Sequence, residues 1–87
     1  MNLNIEYLKN YMKRKFEEGY EGYEIVVALL TLVKEKKIEE KDILPIISYV
    51  YNDNSIAVYN ALNKARELAD DKLIEDIIKE MGGINGK

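Results

Sequence analysis

The feature that most constrains this chain is the stretch from Ile25 to Val33, in which every residue is apolar except Thr31. A segment apolar on all sides has to be covered on all sides, so it predicts a central element with neighbours packed around it. Ile25, Val26, Val27, Thr31 and Val33 are β-branched, a type that also suits strands. The flanks decide for a helix. Glu21 and Glu24 precede the run and Lys34, Lys36 and Lys37 follow it, the charge order that a helix dipole favours. Nothing else in the chain alternates apolar and polar residues in a way that could pair with a strand. The stretch therefore predicts a helix over residues 23–37.

Eighty-seven residues predict one domain, over residues 1–84, with a loose tail at 85–87. A chain of this size buries only about 60–65% of its unfolded surface, so every apolar residue is needed. The absence of Cys and His excludes disulfides, imidazole acid–base chemistry, the usual zinc and haem ligands, and the Glu-x-x-His pairs of di-iron bundles. Thr31, Ser48 and Ser55 have no imidazole to activate them. The acids at Glu39, Glu40 and Asp42, and at Asp70, Asp71, Glu75 and Asp76, lack the spacing and turn glycine of a calcium loop. They read as helix-start caps. A non-enzyme is expected, with no metal, no cofactor and no small-molecule substrate.

The opening residues carry an acid inside any apolar region and do not form a signal peptide. The longest apolar run is shorter than the ~20 residues needed to span a bilayer. A cytoplasmic protein without a membrane partner is expected. The net charge of −3 is spread evenly along the chain, which builds in no general attraction for nucleic acid. Abundant Lys, Glu, Ile and Tyr, with no Trp and no Gln, give a thermophile-like composition.

A first helix is expected over residues 4–18, its buried stripe formed by Ile5, Leu8, Met12 and Phe16 and its end set by Gly19. Leu3, Tyr7 and Tyr11 widen that stripe to an arc of about 200°, against the ~100° that one core requires. After the central helix, residues 38–41 form a charged linker. Asp42 caps a third helix over residues 43–51, with Pro45 in its first turn. In that helix Ile43, Leu44, Ile47, Val50 and Tyr51 face one way, Ile46 lies on the flank and Tyr49 points outward. The turn from Asn52 to Ser55 caps a fourth helix, whose Ala57, Val58, Ala61, Ala65 and Leu68 share a face and whose Ile56, Tyr59, Asn63 and Arg66 share the opposite one. Asp70 or Asp71 starts a fifth helix, although the series Ala57, Ala61, Ala65, Ala69, Leu73, Ile77 and Met81 also permits one continuous helix; the break is favoured. Gly82 and Gly83 followed by Ile84 have the form of a C-cap. The expected fold is all-α: a compact bundle of four or five short helices built from antiparallel hairpins around a central buried helix.

Leu44, Pro45, Ile47, Asp53, Val58, Ala61 and Ala65 fall at the spacing of a helical hairpin that resembles HEAT repeats. That resemblance implies a scaffold for binding proteins. The same segment also resembles a helix-turn-helix of the winged-helix regulators, on Ile47, Ser48, Tyr51, Asn52, Val58, Tyr59, Ala61 and Leu62. That resemblance implies base contacts from Ser55, Tyr59, Asn60, Asn63 and Lys64, with Lys13 and Arg14 holding phosphates. Asp53 stands where that family buries an apolar residue, whereas HEAT repeats carry Asp there.

Seven tyrosines against one phenylalanine place many rings at a boundary, inside by the ring and outside by the hydroxyl. Leu3, Tyr7, Tyr11, Ile46, Tyr49, Ile56 and Tyr59 are the candidate protein contacts. The expected function is that of a small non-catalytic interaction module, an accessory or adaptor subunit that binds a protein partner or itself, compatible with a place in a nucleic-acid-processing complex. The alternative is a DNA-binding helix-turn-helix protein.

Overall fold

The computed structural model describes residues 3–69 and 72–84. Five α-helices follow one another: α1 (Ile5–Glu17), α2 (Gly22–Lys34), α3 (Ile43–Val50), α4 (Ser55–Ala69) and α5 (Lys72–Ile84), with one 3-10 turn, Glu40–Asp42, leading into α3. Local chemistry explains where they begin. Asn4 caps α1, its side-chain oxygen accepting from the Tyr7 N–H at 3.0 Å, and Asn54 does the same for α4 at the Ala57 N–H, 3.1 Å away. Asp42 was expected to cap α3 and does not. Its carboxylate accepts instead from the Glu39 N–H at 2.9 Å, so the chain begins to coil a turn earlier than Asp42 suggests.

The first three helices end on one device. At each, a residue with positive φ donates its N–H to a carbonyl three residues back, and the next residue donates to one five back. Gly19 (φ 112) and Tyr20 close α1 on Phe16 and Lys15, Lys36 (φ 63) and Lys37 close α2 on Val33 and Leu32, and Asn52 (φ 55) and Asp53 close α3 on Tyr49 and Ser48. Glycine occupies that backbone region without penalty, whereas an L side chain there costs about 1 kcal/mol.

Packing is interleaved. α1 lies mainly on α3, α2 mainly on α4, and α5 on α4, while the sequence neighbours α1 and α2 meet over a shorter length. α4 and α5 lie against each other, which one continuous helix could not do, so they are two helices, as favoured. The cap expected at Asp70 or Asp71 and the tail expected at 85–87 lie outside the described residues. Gly82 and Gly83 do not end α5, which runs on to Ile84; glycine can be carried inside a helix at about 1 kcal/mol each.

One apolar core draws on all five helices: Leu8 and Met12 of α1, Ile25, Val26, Leu29 and Leu30 of α2, Ile43, Ile46, Ile47 and Val50 of α3, Val58, Leu62 and Ala65 of α4, Ile74 and Ile77 of α5. Ile38 is buried with them and anchors the linker that its charged neighbours disguise. Ile46, expected on a flank, is fully buried, because α3 is covered by α1 on one side and α2 on the other. Gly22 is buried where α2 begins, and a Cβ there would collide with the Tyr51 hydroxyl. Tyr51 in turn meets Phe16 edge to face at 4.8 Å. Burial, reinforced by the Glu21 carboxylate, raises the Tyr51 phenol above its ordinary pKa of 10.0.

α2 is the central helix, yet it is not covered all round. Val27, Ala28 and Thr31 are exposed.

Candidate interaction surface

Ala28 and Thr31 on the open stripe of α2 face a groove whose opposite wall is α1. Because α1 leans on α3 and α2 on α4, the two diverge and leave about 560 Å³ between Leu3, Tyr7, Leu8, Tyr11 and Met12 on one side and Ala28, Thr31 and Leu32 on the other. Tyr7 and Tyr11 stack on each other with ring centroids 6.2 Å apart. Tyr7 is 64% exposed and Leu3 40%; Tyr11 is half-buried. Towards the start of α2 the groove continues into a smaller hollow of about 250 Å³ lined by Tyr11, Met12, Lys15, Tyr20, Glu24, Ile25 and Ala28. There the Lys15 ammonium sits 5.3 Å from the Tyr11 ring centre and 5.6 Å from that of Tyr20. Lys15 also pairs with Glu18 at 3.6 Å, a surface pair worth ~0–1 kcal/mol.

The other edge of α1 is closed. Tyr49, expected to point outward, does leave its own helix's apolar face, but α1 lies there to receive it. Its hydroxyl donates to Asn10 Oδ1 at 2.9 Å. The Lys9 and Lys13 ammoniums stand 5.9 Å and 5.3 Å from its ring centre. Lys13 also donates to Asn52 Oδ1 at 3.0 Å. Lys13, which the helix-turn-helix resemblance assigns to phosphates, is thus already engaged in the α1–α3 contact. Arg14 is exposed.

On α4, Ile56 is 73% exposed and Tyr59 40%; Ser55, Asn60 and Lys64 are exposed with them. Lys64 lies 4.7 Å from the Tyr23 ring centre, bridging α4 and α2. Asn63 is half-buried, and its Oδ1 is buried with no partner among the described residues. The structure brings Leu3, Tyr7 and Tyr11 into one wall. Ile56 and Tyr59 stand on a different helix, and Ile46 belongs to the interior. Ala28 and Leu32 were missed as wall residues. Their signal was the run itself, since a helix apolar on every side and bounded by two partners must leave some side for a third.

Among the described residues the chain is thus all-helical, with an uncovered apolar groove between α1 and α2. No family model, no curated protein and no solved structure matches it.

Proposed function

We propose that this protein is a non-catalytic helical interaction module whose α1–α2 groove docks a helix of a protein partner. The observation that carries the reading is the uncovered side of the long apolar helix α2, where Ala28 and Thr31 line the groove and Val27 is exposed beside them. A helix apolar all round is stable in water only where each side has a neighbour, and α3 and α4 leave one side for something else. Tyr7 and Tyr11 support the same surface: rings that give large contact area at small entropic cost are what protein interfaces recruit. The groove is bounded by two helices, so a third, laid in as ridges into grooves, is the element that fits.

Photo-crosslinking tests this. A photoreactive aromatic replacing Tyr11 should give protein adducts in cells, whereas the same group at Glu67, an exposed position of α4, should give none. Changing Tyr7 and Tyr11 together to Glu should abolish the interaction and leave helicity intact by circular dichroism. Equal adduct yields at 11 and 67 would remove the groove from consideration.

The rival helix-turn-helix reading draws on Ser55, Tyr59, Asn60 and Lys64 standing exposed on one helix. It fits less well, because Lys13 is engaged with Asn52 and Asn63 turns its carbonyl inward. Duplex binding that falls steeply with salt and weakens in Arg14→Ala supports it; no binding at low salt disposes of it.

A further inference from the structure

We infer that the occupant of the groove is α2 of a second copy of this chain, the two helices crossing antiparallel at Ala28. This rests on the docking reading above and adds the partner's identity. A twofold contact has to be self-complementary, because each patch meets itself rotated. α2 satisfies that condition along its length. Its start carries Glu21 and Glu24, and its end carries Lys34, Lys36 and Lys37, with Glu35 the one acid among them. Antiparallel crossing sets each acidic start beside the other copy's basic end and opposes the two helix dipoles. Parallel crossing would set acid on acid and base on base.

Between those charged ends the exposed stripe is Val27, Ala28 and Thr31, which is uncharged. Its middle residue is small, so the two backbones can approach closely at the crossing point. Tyr7 and Tyr11 rise on the α1 side and flank the incoming helix. The pairing also answers the sequence's own requirement, since the stripe that lacks a cover is, on the second copy, the cover.

A chain without Cys makes the test direct, because one engineered thiol reports proximity alone. Ala28→Cys should form a disulfide-linked dimer under mild oxidation about tenfold faster than Glu67→Cys, since that bond needs Cα atoms within ~7 Å. Sedimentation of the wild type should show the mass rising with concentration from 10.1 kDa towards twice that value. Ala28→Arg should stay at 10.1 kDa with unchanged circular dichroism. A constant mass of 10.1 kDa together with equal cross-linking at 28 and 67 overturns the second copy. Photo-adducts from position 11 separate the two levels of the reading. Adducts of two chains support the dimer, adducts of any other mass overturn it while leaving a docking groove, and no adduct sinks both.

Discussion

The two edges of α1 are built from the same materials and end in opposite states. Along α3, a tyrosine, two lysines and two asparagines satisfy one another: Tyr49 bonds Asn10, Lys13 bonds Asn52, and Lys9 and Lys13 face the Tyr49 ring. Along α2, Tyr7 and Tyr11 stack on each other beside an apolar groove, with Lys15 at the Tyr11 ring. Exposure alone does not separate these cases, since Tyr49 of the closed edge, 39% exposed, is more exposed than Tyr11 of the open one. What separates them is the hydroxyl, which at Tyr49 is already bonded to Asn10. A tyrosine whose needs are met inside the fold is a strut, and one that stands over a groove is available to another molecule.

The sharpest way to break that contrast is through Ile46, which lies under the closed edge. Ile46→Ala should destabilise by about 2–5 kcal/mol in chemical denaturation, as for any fully buried isoleucine, while Ile56→Ala should change stability by less than about 0.5 kcal/mol. Similar costs at the two sites would mean that Ile56 is not the solvent-facing residue described here. On the covered side of α2, Gly22→Ala should cost about 1–3 kcal/mol by driving a methyl into the Tyr51 hydroxyl, and most of that loss should return in a Tyr51→Leu background. Tyr49→Phe should lose about 0.5–1.5 kcal/mol with its bond to Asn10, whereas Tyr7→Phe should leave thermal stability unchanged, because among the described residues the Tyr7 hydroxyl bonds nothing. The smallest effect is a gain. Lys36→Gly should raise stability by about 0.5–1 kcal/mol, because the left-handed end of α2 is strained for lysine and free for glycine.

Much of the helix plan was legible because punctuation and periodicity agreed. Gly19 and the Asn52–Asn54 turn end and start helices where the structure ends and starts them. Leu8, Met12, Val58 and Ala61 fall on the faces their spacing assigns. Other features were not legible, for identifiable reasons. α3 is a short helix with apolar residues nearly all round, so periodicity could not say that Ile46 would be enclosed. Lys36 gives no turn signal, and its conformation comes from the closing hydrogen bonds rather than from its side chain. Ile38 is one apolar residue among charges, and only tertiary contact reveals it as an anchor. For the surface, the arc of Leu3, Tyr7 and Tyr11 could be read directly from the spacing, but the other wall could not. Which side of an all-apolar helix stays open depends on where α3 and α4 pack, and that is decided by the whole fold.

The most direct measurement is the accessibility of the open stripe in the working state. Thr31→Cys places a single thiol on that stripe in a chain with no other. Its alkylation should be slower in cells than in the dilute purified protein, while Glu67→Cys on α4 should react at the same rate in both. Equal rates for Cys at position 31 in the two settings would mean that α2 works bare to water, and a docking role for the groove could not stand.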